Sequence, residues 1–590
     1  MCGIFALISA QNILGNTKVR KYALRMSAKL RHRGPDGTGY IQTKHGCFAH
    51  ERLAIIDPNG GNQPLFNKDK SIILCVNGEI FNYKQLREQY HSYPYRTGSD
   101  CESILALYDH YYNETPETQL THKQIVSILG QLDGQFSFVL HDTRSGMVFV
   151  ARDPYGITQL YYGINKYGNV QIASEMKALE NCVRIEVMPS GSYLYFDARH
   201  PIIKPVRYFA ETVVGSWLDS SKKEGEMQYF YDPQPLLSAE EQLPLLKQIR
   251  ITLERAVEKR LMTDVPFGVC LSGGLDSSLV AAITMRYMRA HPEKYGANPQ
   301  MHTFSIGIKD ESSDLVYARE VAKHIGSIHH EIHFTPEEAL NALEDVIYHT
   351  ESADITTTRA SICNYLLARK IQSFGIKMVL SGEGSDEVLG GYLYFHQAPS
   401  DEEHQMECKM RVMDLGYFDC LRTDKSLLGN SIEGRYPFLD TEFVKLCINL
   451  HKDVKCQNGI EKYIVRKAFD LVDENGRELY LPKSVLYRQK CQFSNCGANH
   501  CDTLREYAER EINDKYLIAF ENRAMLYPVN TPPTKEAFYY RLVFESMYQG
   551  RGNVYKYWIP NTSWQNVSAD PSGLCQAAYK QSEQYDTVST

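Results

Sequence analysis

Several features that mark particular protein classes are missing from this 590-residue sequence. It has no apolar run long enough to span a bilayer, and its apolar start lacks the basic flank of a secretion signal. Its 15 cysteines include no Cys-x-x-Cys pair, so neither a zinc site nor a disulfide framework is indicated. The net charge is −7 and no basic stripe is visible, which removes the electrostatic case for nucleic acid. We expect a cytoplasmic protein without nucleic-acid or membrane partners.

The length and the changing pattern of the chain predict two domains, because a single core rarely extends over so many residues. Residues 2–210 are rich in short strands with helices between them, which favours a layered α+β domain. Residues 241–560 alternate strand, glycine-rich turn and helix, which predicts a parallel α/β sheet with ligands at the strand ends. We interpret residues 211–240 as a linker and residues 561–590 as a tail.

Individual elements follow from the hydrophobic periodicity. In the first domain it predicts strands at 71–76, 136–141 and 147–151, and helices at 18–30 and 102–112. In the second it predicts strands at 266–271, 302–307 and 377–380, and helices at 243–261, from Ser277 onward, and at 315–325. The histidine-rich stretch 329–333 lacks acidic or cysteine partners at ligand spacing, so we interpret it as a solvated strand edge.

Cys2 is the first candidate catalytic residue. If Met1 is removed, a cysteine becomes the N-terminus, and its own α-amine, which titrates near pH ~8, can accept the thiol proton. A cysteine at position two also occurs by chance, and alone this plain explanation is preferred.

Other residues of the first domain supply what an amidase for a free amino acid requires. Arg52 could bind the α-carboxylate and Asp100 the α-ammonium, while the side-chain amide of Asn77 and the N–H of Gly78 could stabilise an oxyanion. We interpret 77–80 as a strand break and 52–57 as a short strand. Each residue alone also fits an ordinary ion pair, turn or helix cap.

Five motifs, taken together, favour the functional explanation over the structural ones. They are Cys2-Gly3-Ile4, the Arg-Gly-Pro-Asp-Gly of 33–37, 52–57, 77–79 and 99–102. With them, residues 2 to about 200 resemble the class II glutamine amidotransferases, which have an N-terminal-nucleophile fold of αββα layers. The resemblance implies a thioester at Cys2, an oxyanion at Asn77 and Gly78, and a loop at 31–37 that closes over the substrate. It also implies a set of glutamine-binding residues: Arg52, Leu53, Ala54, Ile55, Ile56, Asn77, Gly78, Glu79 and Asp100.

A second site is indicated by residues 271–278, Leu-Ser-Gly-Gly-Leu-Asp-Ser-Ser, between a predicted strand and a predicted helix. Two glycines let successive N–H groups face one anion, and the helix N-terminus adds positive potential. The Gly-Lys-Ser/Thr of a Walker loop is missing, which favours a departing pyrophosphate over a transferred γ-phosphate. The alternative is a plain Gly-Gly turn.

A second glycine turn, 381–387, carries three acidic side chains, a poor set for phosphate alone but suitable for Mg²⁺, an ammonium or a proton. Upstream, Thr357 offers a hydroxyl and Arg359 a guanidinium for a carboxylate. These two residues, with Asp386, are candidates for aspartate or Mg²⁺, and Asp276 with Asp386 are the metal candidates. A helix N-cap with an exposed arginine is the structural alternative for 354–359.

The loop at 272–278 resembles the PP-loop of ATP pyrophosphatases. Together with 381–387, 390–392, 437–440 and 488–490, it makes the second half similar to the synthetase domain of the asparagine synthetase B family. The resemblance implies ATP and Mg²⁺ as requirements, Glu383 as the acidic residue for acyl-adenylate formation and ammonia attack, and Lys462 on pyrophosphate. The implied ATP-binding residues are Leu271, Ser272, Gly273, Gly274, Asp276, Ser277, Ser278, Ile306, Ser381, Gly382 and Lys462.

The expected activity is glutamine-dependent asparagine synthesis through β-aspartyl-AMP, with a sheltered passage for ammonia and possible assembly as a homodimer. The sequence departs from the family pattern at Gly434, Tyr436, Cys491, Asn495 and Cys496. Alternatives are a synthetase that adenylates another carboxylate and a homologue that has lost catalysis. The intact Cys2, Asp100, PP-loop and Glu383 oppose the second alternative. Amidophosphoribosyltransferases and aminosugar synthases share only the first domain.

Overall fold

The computed structural model describes residues 1–113, 119–208, 231–309, 312–471, 479–490 and 498–569. Most of the predicted linker, the departures at Cys491, Asn495 and Cys496, and residues 570–590 of the predicted tail lie outside these ranges. No helix of the described residues is long and apolar enough to cross a membrane.

The first part contains two six-stranded antiparallel sheets. Their orders are β10-β8-β9-β1-β3-β2 and β12-β11-β7-β6-β5-β4. The strands are β1 (Gly3–Ile8), β2 (Gly37–Gln42), β3 (Gly46–Arg52), β4 (Leu65–Phe66), β5 (Ile72–Ile80), β6 (Gly134–Asp142), β7 (Met147–Arg152), β8 (Tyr161–Asn165), β9 (Val170–Ala173), β10 (Cys182–Val187), β11 (Ser192–Asp197) and β12 (Val206–Arg207). The helices are α1 (Thr17–Ala28), α2 (Tyr83–Gln89), α3 (Glu102–Asn113) and α4 (His122–Gly130), with a 3₁₀ turn at Met176–Leu179.

Successive side chains of a strand point to opposite faces of its sheet, and here both faces are apolar. One face of each sheet therefore packs against the other sheet, and the opposite face packs against helices. Ile4 of β1 and Val139 of β6 belong to the apolar layer between the sheets. On the outer faces, Phe5 shares a cluster with Met26 of α1, and Phe138 shares one with the helices α3 and α4. This is the αββα layering that the resemblance implies, and the prediction is confirmed.

The second part is built on a five-stranded parallel sheet of order β15-β14-β13-β16-β17. The strands are β13 (Phe267–Cys270), β14 (His302–Gly307), β15 (Ile328–His333), β16 (Met378–Leu380) and β17 (Glu433–Arg435). The chain moves outward from β13 in one direction and then returns to its other side with β16. Such a reversal opens a crevice at the carboxyl ends of β13 and β16, where parallel sheets bind ligands. The predicted parallel α/β sheet is confirmed.

Helices surround this sheet and form most of the C-terminal region. They are α5 (Ala239–Arg260), α6 (Leu275–Ala290), α7 (Pro292–Tyr295), α8 (Ser313–Ile325), α9 (Pro336–Asn341), α10 (Leu343–Thr350), α11 (Ile355–Gln372), α12 (Ser385–Leu389), α13 (Asp401–Asp414), α14 (Asp419–Leu428), α15 (Thr441–Cys447), α16 (Lys452–Lys455), α17 (Tyr463–Asp470), α18 (Lys483–Leu486), α19 (Ala498–Glu511), α20 (Leu517–Glu521), α21 (Arg523–Leu526) and α22 (Lys535–Met547). Three-residue to five-residue 3₁₀ turns occur at Leu393–Gln397, Leu415–Tyr417 and Pro437–Leu439, and a π-helical turn at Ile512–Tyr516.

Each element predicted from periodicity is present, with ends that move by a few residues. The strand at 302–307 matches β14, and the histidine-rich stretch forms β15 at the sheet edge. Two local predictions are wrong. Residues 77–80 continue β5 in register with β6 instead of breaking it. The stretch 52–57 is not a strand, because β3 ends at Arg52 and the chain leaves the sheet there.

Candidate functional site: two clefts on either side of a domain interface

Cys2 lies between the ends of β3 and β5, one strand from each stacked sheet. Its backbone N–H donates to Oδ1 of Asn77 at 2.6 Å. The N–H of Leu53 donates to the Cys2 Sγ at 3.4 Å, and the thiol faces the Leu53 carbonyl oxygen at 3.8 Å. Burial raises the pKa of the Cys2 thiol. The sulfur is therefore held in a fixed position, but it needs a base to become a thiolate near neutral pH.

Asn77 and Gly78 lie inside β5, immediately beside Cys2. The Asn77 Nδ2 is buried and has no hydrogen-bond partner among the described residues. Gly78 has φ +137°, and a Cβ there would meet the Gln135 carbonyl oxygen of β6 at 1.9 Å. Only glycine fits this close approach of two strands. The result is an unpaired amide donor next to the nucleophile, as an oxyanion site requires.

The predicted amino-acid contacts surround the same pocket. The Arg52 guanidinium donates to backbone oxygens of the loop 56–58 and to Asn62 Oδ1, and in the described structure it pairs with no carboxylate. It is thus a buried cation suited to a substrate carboxylate. Asp100 accepts the Ile80 N–H through Oδ2 at 2.7 Å, and burial raises its pKa.

The remaining residues of the predicted set form the pocket wall. Residues 53–56 are buried in the loop that follows β3. Burial raises the pKa of Glu79 well above its usual range, and the nearby Asp100 acts in the same direction. The Glu79 carboxylate lies 3.4 Å from the Arg435 guanidinium.

Strand β17 of the second domain closes this pocket, a contribution that sequence reasoning missed. Glu433 pairs with the α-ammonium of Met1. The Gln135 side-chain amide donates to the Gly434 carbonyl oxygen at 3.0 Å. No local pattern marks these residues, because their partners lie some 300 positions or more earlier in the chain.

The second cleft opens where β13 and β16 end, in the crevice formed by the sheet reversal. Its walls include most of the predicted ATP residues: Leu271, Ser272, Gly274, Asp276, Ser277, Ile306, Ser381, Gly382 and Lys462. The structure does not bring Gly273 or Ser278 into this wall. Gly273 instead has φ +75°, and a Cβ there would lie 2.6 Å from the Ala318 nitrogen, so its role is the turn itself.

The hydroxyls of the loop are hydrogen-bonded to one another and to the loop backbone. Ser272 and Ser277 place their Oγ atoms 2.9 Å apart, and the Ser272 N–H donates to the Ser277 Oγ at 3.1 Å. Helix α6 begins directly after Gly274, with its N-terminus at the cleft. This combination of hydroxyls and a helix N-terminus is suited to a phosphate chain.

Two lysines and two aspartates meet across the cleft. The Lys462 Nζ lies 2.6 Å from Asp276 Oδ2 and 2.7 Å from Asp386 Oδ1. Lys490 contacts the other oxygen of Asp386 at 2.6 Å. Burial acts to raise the pKa of Asp386, but the two ammonium groups outweigh it and hold that pKa well below its usual range. Asp386 is therefore held ionised, and both lysine side chains line the cleft.

Glu383 faces the same cleft from the turn after β16. Its Oε2 accepts from the Arg422 Nη2 at 2.7 Å, and Asp419 contacts the same nitrogen at 2.8 Å. Burial raises the pKa of Glu383, while Arg422 opposes the rise. Sequence reasoning missed Arg422 and Asp419, which lie on α14 and have no motif of their own.

Arg359 does not reach the cleft, so its prediction as a carboxylate-binding residue is wrong. Its guanidinium is bound by both oxygens of Glu536, at 2.8 and 2.6 Å, and is buried away from the cleft wall. A guanidinium held by one carboxylate through two hydrogen bonds has little capacity for another. Thr357 does line the cleft, on helix α11, which Asp354 caps by accepting the Thr357 N–H.

Residues 1–231 match a family model described as a glutamine amidotransferase domain. Residues 248–414 and 400–570 match one described as asparagine synthase.

Three curated relatives illustrate the similarity. A glutamine-hydrolysing asparagine synthetase 1 of Arabidopsis thaliana is 43% identical over 93% of this chain and 87% of its own length. One of Brassica oleracea is 44% identical over 93% of this chain and 86% of its own. A probable one of Dictyostelium discoideum is 42% identical over 98% of this chain and 99% of its own.

Proposed function

This chain belongs to the family of glutamine-hydrolysing asparagine synthetases, and we propose that it makes asparagine from aspartate, ATP and the amide nitrogen of glutamine. The observation that carries the proposal is the pairing of two chemically different clefts across one interface. One holds a buried thiol beside an unpaired amide donor, and the other holds an anion-binding loop beside acidic and basic side chains.

Glutamine hydrolysis takes place at Cys2 in this proposal. With Met1 removed, the α-amine of Cys2 accepts the thiol proton, and the sulfur attacks the glutamine amide carbon. The Asn77 amide and the Gly78 N–H stabilise the oxyanion. Arg52 binds the substrate carboxylate, and Asp100 with Glu79 receives its ammonium. The α-ammonium of Cys2 returns the proton to the leaving nitrogen, ammonia departs, and water then hydrolyses the thioester to glutamate and the free thiol.

Aspartate activation takes place in the second cleft. The β-carboxylate of aspartate attacks the α-phosphorus of ATP, which forms β-aspartyl-AMP and releases pyrophosphate. The loop 272–278 and the ammonium groups of Lys462 and Lys490 hold the departing pyrophosphate. Glu383 accepts a proton as ammonia attacks the acyl carbon, since its raised pKa brings it closer to the working pH. The products are asparagine and AMP.

Mg²⁺ fits the donor set of this cleft. Among the described residues no cluster of three or more His, Cys, Asp or Glu forms a metal site. Mg²⁺ in nucleotide sites needs only one or two carboxylates together with phosphate oxygens, and Asp276 and Asp386 offer such a pair in the first turns of α6 and α12. When bound there with ATP, the metal would supply positive charge to the phosphate chain.

We assign glutamine hydrolysis to residues 2–210 and synthesis to residues 241–560, with a linker between them and a tail after them. We propose that the protein acts in the cytoplasm. We also propose a homodimer, which light scattering of the purified protein would test.

The direct test is pyrophosphate release from ATP with aspartate or glutamate as the acid. Release with aspartate alone is expected. Release with glutamate alone would support a synthetase for another acid, and release with neither would refute the activity. The Cys2→Ala variant is expected to lose glutamine-dependent synthesis but to keep synthesis from ammonia, and equal loss of both would show that the two sites are not separable.

A further inference from the structure

Helix α14, Asp419–Leu428, is buried along its whole length although four of its ten residues are charged. Charged side chains are rarely buried unless each has a partner. The partner of Asp424 lies beside Cys2 and the partner of Arg422 lies in the ATP cleft, so the helix reaches both proposed active sites.

On the glutaminase side, Asp424 binds Arg33 of the first domain. Its Oδ2 accepts from Nη1 at 3.0 Å and its Oδ1 from Nη2 at 3.1 Å, and both side chains are fully buried. The Arg33 Nε donates to the Cys2 carbonyl oxygen at 2.9 Å. Nη1 also donates to Glu175 at 2.9 Å. Asp424, with two hydrogen bonds, and Glu175, with one, therefore hold Arg33 where its Nε binds the Cys2 backbone.

On the synthetase side, Arg422 of the same helix binds Glu383 in the ATP cleft. Arg422 and Asp424 are two residues apart, so about 3 Å of helix axis separates the two contacts. A helical turn is stiff, since its backbone hydrogen bonds are all made internally. Any displacement of Glu383 that moves α14 must therefore also move Asp424, which binds Arg33.

The neighbouring Lys425 forms an interface ion pair without a direct bond to Arg33, to which it is linked through Glu351, Lys177 and Glu175 in turn. Its Nζ binds Glu351 and the hydroxyl of Tyr161, again fully buried at the domain interface. It is bonded to neither Arg33 nor Cys2. If the charges of α14 served only to join the domains, removing Lys425 and removing Asp424 should have the same effects.

We propose that Asp424 is a positioning residue for Cys2, acting through Arg33, and that α14 thereby couples the ATP cleft to glutamine hydrolysis. The proposal rests on the function proposed above. It predicts that the occupied ATP cleft alters the reactivity of Cys2. It also predicts that loss of the Asp424 carboxylate affects glutamine hydrolysis selectively.

The experiment compares Asp424→Asn with the matched control Lys425→Met in the full-length protein. For Asp424→Asn, the glutaminase kcat is expected to fall about 10-fold to 100-fold, as misplacement of a reacting group does, with a much smaller change in KM. Ammonia-dependent asparagine synthesis should stay within about twofold, because asparagine has the shape of aspartate and leaves α14 and its Arg422–Glu383 contact in place. Asp424→Glu should restore part of the glutaminase rate. Lys425→Met should change both activities by similar factors.

A second measurement does not depend on the variants folding. Iodoacetamide labelling of Cys2 in the wild-type protein is followed by peptide mass spectrometry, with and without saturating ATP and aspartate. A changed labelling rate is expected, and an unchanged rate overturns the coupling. Equal loss of both activities in Asp424→Asn, or a glutaminase rate like that of the wild type, overturns the positioning role. Failure of the wild type to form asparagine from either nitrogen source would instead refute the proposed function.

Discussion

The buried amide of Asn77 gives the sharpest prediction, because it has one hydrogen-bond partner where it has the capacity for more. Its Oδ1 accepts the Cys2 N–H at 2.6 Å, while its Nδ2 has no partner among the described residues. In Asn77→Ala, the Cys2 N–H becomes unsatisfied, at a cost of about 1–3 kcal/mol. Removing the unpaired Nδ2 recovers a desolvation cost of about the same size. The net change in the free energy of unfolding should therefore be within about 1 kcal/mol.

The rate of glutamine hydrolysis should fall much more than the stability in Asn77→Ala. Loss of one oxyanion donor costs about 2.7–4 kcal/mol of transition-state stabilisation, which lowers kcat about 10²-fold to 10³-fold. Glutamate release from glutamine gives this kcat, urea unfolding gives the stability, and asparagine synthesis from ammonia is the internal control. Asn77→Asp keeps the acceptor for the Cys2 N–H but has no donor, so it should lose a similar factor. A glutaminase kcat within threefold of the wild type in both variants would refute the oxyanion role.

Three further predictions concern other parts of the molecule. Lys462→Met should lower asparagine synthesis about 10²-fold or more with glutaminase nearly unchanged, since it removes a cation from the departing pyrophosphate; synthesis within tenfold of the wild type would contradict its role. Gly434→Ala should destabilise the protein by about 1–3 kcal/mol in urea unfolding, because the new Cβ would lie 2.2 Å from the buried Tyr436 hydroxyl oxygen; an unchanged midpoint would contradict that packing. In protein that retains Met1, the raised pKa of Cys2 makes its reactive thiolate scarce near neutral pH, so iodoacetamide labelling should rise with pH to beyond pH ~9; a plateau below pH ~8 would show that the pKa is not raised.

Local sequence patterns were sufficient for most of the two clefts. The Ser-Gly-Gly-x-Asp-Ser loop is recognisable because its glycine positions and hydroxyls all lie within a few residues of one another. The strand β14 and the helix after the loop follow from periodicity alone. Sequence patterns also group Asn77 and Gly78 with Cys2, beside which the structure places them, but they predict a strand break where β5 continues. Inside its strand, Gly78 combines an unusual φ with a close approach of the Gln135 carbonyl oxygen. Neither feature can be recognised from the neighbouring residues in the sequence.

The sequence misjudges or misses site residues whose partners are distant along the chain. Arg359 was expected to bind a substrate carboxylate, but Glu536, 177 positions later, occupies its guanidinium. Conversely, Arg422 and Glu433 belong to no motif, and their importance is visible only when the fold brings them to Glu383 and to the N-terminus. Ion pairs of this kind depend on tertiary structure, whereas turns and helix starts depend on neighbouring residues.

The proposed reaction is tested most directly by following the nitrogen. Glutamine labelled with ¹⁵N in its amide is incubated with the protein, aspartate and ATP, and the products are measured by mass spectrometry. We predict ¹⁵N in the side-chain amide of asparagine, with one AMP and one pyrophosphate formed for each asparagine. Formation of ADP and phosphate, or asparagine without the label in the absence of free ammonia, would contradict the proposed chemistry.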